Sequence, residues 1–296
     1  MEEALKEIET AAFKQFDVKA LQQRLNTRFF GVENRLVFLP TVDSTNTLAM
    51  QLAQGGAEEG TVVITDSQTA GKGRLGRRWV DRPGCYALSS TVLRPRFPSY
   101  LLVMVASLAV VDAIADTCGL TAAIKWPNDV LIGESKVAGI LIETGHDRTG
   151  RMVAIMGIGV NVNGQLSEFV GDQAEASSVN QGLVAPATTL EAACGHQVSR
   201  ETFMAHLLGH IETSYLALQQ ETWDPAEMTT GSASRLMRER WRNQLSTLGR
   251  TIQVRQGTAI LSGIAEDVDD HGELLLRCHS GERVNITWGD IGYPDR

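Results

Sequence analysis

Three stretches of the chain place cations and glycines where an anionic substrate would be handled. The first is Gly71-Lys72-Gly73-Arg74-Leu75-Gly76-Arg77-Arg78, three glycines and four cations in eight residues. Glycine lets backbone N–H groups approach an anion, and the cations neutralise it. The loop therefore reads as a polyphosphate or acyl-phosphate cradle, a solvated basic loop or a nucleic-acid patch. The second is Lys125-Trp126-Pro127-Asn128-Asp129, where Pro127 fixes a turn and Asp129 can bind a metal, orient an amine or make an Asx turn. The third is Lys136-Val137-Ala138-Gly139-Ile140-Leu141-Ile142-Glu143, a lysine opening an apolar strand. Strict alternation places Lys136, Ala138, Ile140 and Ile142 on one face. An ammonium there either takes an anionic partner or snorkels to water.

The glycine loop formally matches G-x-G-x-x-G, but its context excludes a dinucleotide fold. Five residues separate Thr65, the end of a strand, from Gly71, and Arg77 to Gly84 carry no helix pattern. No G-K-[ST] occurs, so it is not a Walker A loop either.

The elements that must position these residues follow from periodicity and breakers. Leu36 to Pro40, Thr61 to Thr65, Tyr86 to Leu93 and Met152 to Val162 read as strands, and Lys136 to Thr144 as one arm of a hairpin turning at Gly133-Glu134-Ser135. Ser44, Thr45 and Asn46 are N-cap candidates for a helix ended by Gly55-Gly56. The apolar run Leu101 to Val111 is too short to cross a bilayer, and residues 100–117 read as a buried helix. Residues 1–35 predict one or two short helices, 165–187 a loop, and 188–218 and 234–245 helices. Beyond Leu248, four strand-like runs separated by turns predict a small antiparallel barrel. The boundary falls at 246/247, giving domains 1–246 and 247–296.

In order and spacing, Asp43-Ser44-Thr45-Asn46, Gln68 through Trp79, Lys125 through Asp129, Lys136 through Glu143 and Gly157 through Asn163 resemble the biotin–protein ligase family. The resemblance is strong from about residue 36 to 165 and weaker beyond. It implies an α+β fold: a mixed-sheet catalytic domain related to class II tRNA-synthetase cores, followed by an SH3-like β-barrel. The implied chemistry joins the biotin carboxylate to the α-phosphate of ATP, giving biotinyl-5′-AMP. A lysine of an acceptor protein, such as a biotin carboxyl carrier domain of a carboxylase, then displaces AMP. By resemblance, Arg74 and Lys136 surround the carboxylate and α-phosphate. Ser44, Thr45, Asn46 and Gln68 hold biotin over a floor from Tyr86 to Leu93. Gly71, Lys72, Gly73, Trp79 and Gly139 complete the binding set, and Asn161 and Asn163, sharing a strand face, lie near the nucleotide. Asp129 handles Mg²⁺ or the acceptor lysine. Lys72 departs from the arginine common in the family, keeping the charge but losing the bidentate fork. Lipoate- or octanoate-transferring enzymes of the same superfamily are the competing reading.

Composition bounds the rest. At 43% hydrophobic and 21% charged the chain is ordinary globular protein. A net charge of -8 argues against general nucleic-acid binding. Many bacterial family members carry an N-terminal DNA-binding domain; the short, acidic stretch before Asp43 leads to the expectation of a monofunctional ligase that binds neither DNA nor membrane. Cys85, Cys118, Cys194 and Cys278 are scattered, which fits a reducing cytoplasm. His206 and His210, spaced i, i+4, read as one helix face. A homodimer is common in the family.

Overall fold

A computed structural model of the chain describes residues 14–164, 186–221 and 231–294. Strands β1 (Leu36–Val42), β2 (Val62–Gln68), β3 (Tyr86–Leu93), β4 (Ala123–Lys125), β5 (Asp129–Ile132), β6 (Ser135–His146) and β7 (Met152–Asn161) form one sheet in the order β1-β2-β3-β7-β6-β5-β4. The β1–β2 pair is parallel and the other pairs are antiparallel, so the sheet is mixed.

Helices α1 (Val18–Arg24), α2 (Thr45–Gly55), α3 (Leu101–Cys118), α4 (Leu190–Cys194), α5 (Arg200–Gln219) and α6 (Ser232–Gln244) pack around it. The helix expected over residues 100–117 is α3, and Asp112, which ends the apolar run, lies on a partly exposed edge where it pairs with Arg240. By length and composition α3 could cross a membrane, yet it is packed against the sheet and α5. The helical pattern from Thr188 breaks into α4 and α5 at Gly195, which ends α4 in the left-handed region at φ 81°. His206 bonds Thr117 and His210 bonds Asp116, so both serve the α3–α5 contact. Residues 1–13, and all of the expected 165–187 loop except 186–187, lie outside the described residues.

Alternation along β3, β6 and β7 gives the sheet two different faces. Ala87, Ala138, Ile140, Met156, Ile158 and Val160 are buried with α3 in the main core. Each fully buried side chain of the larger kind contributes about 1.5–3 kcal/mol. The opposite face is covered by α2 over Val92, Val153 and Ile155, and by the glycine loop over Leu88, Gly139 and Gly159.

Beyond residue 250 the expected antiparallel unit forms, with five strands in place of four: β8 (Thr251–Gln256), β9 (Ala259–Val268), β10 (Leu274–Cys278), β11 (Arg283–Ile286) and β12 (Asp290–Gly292), ordered β11-β10-β9-β8-β12. Strand β12 escapes a periodicity reading because it is three residues long and flanked by Gly289 at φ 146°. It nevertheless carries Asp290 toward the glycine loop. The two sheets meet where Trp126 Nε1 donates to Gly272 O at 2.8 Å and Trp126 N donates to Thr247 Oγ1 at 3.0 Å.

Candidate active site

Lys136 does not share a face with Ala138 and Ile140, contrary to the expectation from alternation. The β5–β6 register runs Val130↔Ala138 but Leu131↔Lys136, so Val137 is an extra residue on β6. A bulge of this kind re-aims the neighbouring side chain. Lys136 is thereby turned onto the face of Gly139, where its Nζ lies 5.6 Å from the centre of the Trp79 ring. The bulged backbone is held by residues 186–188: Lys136 N donates to Pro186 O at 2.6 Å and Thr188 N to Lys136 O at 2.8 Å.

On that face glycines replace side chains. A Cβ at Gly139 would stand 2.9 Å from Trp79 Cζ3, one at Gly159 2.7 Å from Trp79 Cζ2, and one at Gly157 would overlap Asn46 Oδ1. Each is closer than real Cβ contacts, so only glycine lets Trp79 and Asn46 lie against the strands. Trp79 packs with Cys85, Tyr86 and Leu88, and its buried indole N–H has no hydrogen-bond partner among the described residues. Such an orphan donor calls for an acceptor. Burial raises the Tyr86 phenol well above the usual tyrosine value, with Cys85 and Asp81 adding to the rise, so it stays neutral.

The glycine loop is a tight hairpin rather than a free arm. Trp79 N donates to Gly71 O at 2.9 Å and Gly73 N to Arg77 O at 2.7 Å. Its cations are tied to the surrounding walls. Arg74 Nη1 donates to Asn128 Oδ1 at 2.8 Å, Arg77 pairs with Asp290, Arg78 Nη2 donates to Thr69 O at 2.6 Å, and Lys72 lies 3.5 Å from Glu143. Burial draws the Arg74 guanidinium below the ordinary arginine value, while Asp290 and Asp129 oppose that fall. Loop, Leu141 and Glu143 enclose a cleft of about 740 Å³, large enough for a small-molecule ligand.

At the first turn of α2 lies a largely buried polar cluster, joined to the cleft wall where Asn46 Nδ2 donates to Glu143 Oε2 at 2.7 Å. Thr45 N donates to Gln68 Oε1 at 2.8 Å, and Thr45 Oγ1 lies 3.1 Å from the same oxygen. Ser90 Oγ stands 2.7 Å from Thr45 Oγ1 and 2.6 Å from Asn46 Oδ1. Gln68 is in turn fixed by Asp81, whose Oδ2 accepts from Gln68 N at 2.8 Å. Burial raises the Asp81 carboxyl above the usual carboxylate value despite that bond. Ser44 occupies the N-cap position without a side-chain capping bond, and the Thr45 N–H is already taken by Gln68. One of the backbone donors that open at the start of α2 is therefore already satisfied.

Asp129 starts β5 opposite Lys125, and its Oδ1 accepts from Lys136 Nζ at 2.6 Å. Lys125 is only 5% exposed, and its Nζ lies 5.4 Å from the Tyr293 ring centre. Desolvation lowers its pKa, with Asp129 opposing. Asp129 thus serves two lysines. Among the described residues no three His, Cys, Asp or Glu side chains converge on a metal position. Asp129 does not fit a protein-built Mg²⁺ cage, which would need further oxygen ligands.

Of the expected set, Gly71, Lys72, Gly73 and Arg74 line the cleft. Asn46 bonds its wall at Glu143 and is linked through Ser90 to Thr45 and Gln68, with Ser44 at the N-cap of α2. Trp79, Lys136 and Gly139 pack together, with Asp129 paired to Lys136. Asn161 joins them by donating to Thr188 O at 2.9 Å, beside the Lys136 backbone. Asn163 does not share its strand face: β7 ends at Asn161, and Asn163 clamps the Val198 backbone through two bonds of 2.9 Å. Asn128, Asp81, Ser90, Glu143, Lys125 and Asp290 were not singled out as site residues from sequence. Lys125, Asn128 and Glu143 sit inside the quoted motifs, and Ser90 inside the expected floor from Tyr86 to Leu93; Asp81 and Asp290 reach the site only through tertiary packing.

Fold and cleft together define a protein-ligase core of one class: the profile of the biotin/lipoate A/B protein ligase family matches residues 38–163. The biotin protein ligase C-terminal domain matches residues 247–291. A biotin–[acetyl-CoA-carboxylase] ligase of Paracoccus denitrificans is 37% identical over 251 residues, covering 83% of this chain and 95% of that protein. The bifunctional ligase/repressor BirA of Bacillus subtilis is 31% identical over 260 residues, 87% of this chain and 73% of that protein. A biotin protein ligase from Aquifex aeolicus in complex with biotin and ATP superimposes with a TM-score of 0.68 at 25% identity, covering 88% of this chain and 98% of that one. This chain belongs to the biotin–protein ligase family.

Proposed function

We propose that Arg74 and Lys136 carry the two-step reaction of a biotin–[acetyl-CoA-carboxylase] ligase. Biotin and ATP are the substrates. A biotin carboxylate oxygen attacks the α-phosphorus of ATP, the bond to the β-phosphate oxygen breaks, and pyrophosphate leaves. The ε-amine of an acceptor lysine then attacks the biotinyl carbonyl, loses a proton, and AMP departs. Two anions must meet in the first step, and their repulsion is the obstacle that fixed cations remove.

The observation that carries this reading is that Lys136 and Arg74 are held by consecutive residues, Asp129 and Asn128. The bulge at Val137 aims Lys136, Asp129 holds it, and Asn128 holds Arg74. Neither cation needs to reorganise when charge develops. Ser44, Thr45, Asn46 and Gln68 offer the short polar contacts that a bicyclic urea needs, and the orphan N–H of Trp79 is a further donor. Gly71, Lys72 and Gly73 face the polyphosphate, with Asn161 behind them. The acceptor is a biotin carboxyl carrier protein or carboxylase domain. Division at 246/247, a cytoplasmic location, and a homodimer without DNA binding belong to the same proposal.

Biotin-dependent exchange of labelled pyrophosphate into ATP tests it, run beside lipoate and octanoate. Exchange with biotin alone is expected. Exchange with lipoate or octanoate but not biotin would overturn the reading.

A further inference from the structure

The geometry points to Glu143 as a positioning residue that couples the biotin pocket to the phosphate loop. This rests on the functional reading above and deepens it. Glu143 lies on the cleft face of β6, two residues beyond Leu141, with its side chain about one-third exposed. Its Oε2 accepts from Asn46 Nδ2 at 2.7 Å, and its Oε1 stands 3.5 Å from Lys72 Nζ. One carboxylate thus joins the first turn of α2 to the glycine loop.

The chemistry of each partner gives the link a direction. An ionised carboxylate only accepts hydrogen bonds. Glu143 therefore fixes the Asn46 amide with nitrogen toward β6 and oxygen toward Ser90, 2.6 Å away. Asn46 packs directly on Gly157, where an added Cβ would overlap its amide. A polar chain then runs from Gln68 through Thr45, Ser90, Asn46 and Glu143 to Lys72. Biotin that pulls on Asn46 acts through Glu143 on a phosphate-binding cation. By linkage, nucleotide that pulls on Lys72 acts equally on biotin.

The test measures biotin affinity by calorimetry without nucleotide, and KM for ATP and kcat in biotin-dependent exchange. Glu143→Gln keeps one acceptor but turns the other oxygen into a donor, so it no longer fixes the Asn46 amide by acceptance alone and forms no ion pair with Lys72. It is expected to weaken biotin about tenfold, the scale of one hydrogen bond to a charged group. It should also raise KM for ATP while kcat changes less. In a Lys72→Met background the same change should still weaken biotin but no longer move KM for ATP. Glu143→Asp, which keeps the charge on a shorter arm, should show the same coupled pattern at smaller size, and serves if Glu143→Gln does not melt cooperatively. Wild-type biotin affinity in a folded Glu143 variant, or a KM effect undiminished by Lys72→Met, would overturn the coupling. Failure of the wild-type protein to exchange pyrophosphate with biotin would instead strike the functional reading.

Discussion

The two faces of β6 and β7 are built from alternating residues of the same strands, yet they obey opposite rules. On the α3 side, Ala138, Ile140, Met156, Ile158 and Val160 fill space and are judged by volume. On the cleft side, Gly139, Gly157 and Gly159 leave space, and the neighbours Trp79 and Asn46 use it. One face stabilises the sheet; the other gives its backbone to a site. A substitution should therefore report which face it strikes by whether it changes stability or chemistry.

The largest effect is expected on the cleft side. Lys136→Ala and Arg74→Ala should each slow adenylate formation on the order of 10²–10³, as loss of one preorganised charge contact does, with the melting curve little changed. Exchange near the wild-type rate in either folded variant would refute its role. On the α3 side, Ile158→Ala should cost about 2–5 kcal/mol by leaving a cavity, read by urea unfolding. The folded fraction should keep its KM values; a rise in KM for biotin would break the contrast between faces. Gly157→Ala should do the reverse, raising KM for biotin by about tenfold, roughly 1.4 kcal/mol of binding. A pure stability loss there would mean that Asn46 yields without consequence. Asp81 gives the smallest and most specific test. Its carboxyl is raised by burial, so between the ordinary value near about 3.9 and its folded value the native state binds more protons. Stability from this group is greatest below that window and falls as pH rises through it. Asp81→Asn should remove that slope from urea midpoints taken across mildly acidic pH; an unchanged slope would assign it to another group.

The same contrast shows what could be read from residues alone. Strands β3, β6 and β7, helix α3 and the C-terminal strands announced themselves through hydrophobic periodicity, and the site motifs fell on the elements expected. What failed was counting across irregularities. One extra residue at Val137 reversed the face of Lys136, and the end of β7 at Asn161 removed Asn163 from the strand. Period-two reasoning cannot see a bulge, because a bulge is decided by the partner strand. Strand β12 was too short to show a period, so the Arg77–Asp290 contact across 213 positions was hidden with it. Lys125 was visible as a cation but not as a buried one, since its cover, Tyr293, comes from the far end of the chain.

The glycine floor also bears on how this binding surface can change. Main-chain atoms define it, and every other amino acid at positions 139, 157 and 159 would add volume. Mutation can shrink the floor but cannot enlarge it. Any drift in ligand preference, natural or selected in the laboratory, must come from the surrounding side chains, Trp79 lying against the glycines and Tyr86, Leu88 and Ser90 beside them on β3, which can be exchanged for smaller or differently polar residues. A library aimed at bulkier biotin analogues should leave the three glycines untouched and vary those four.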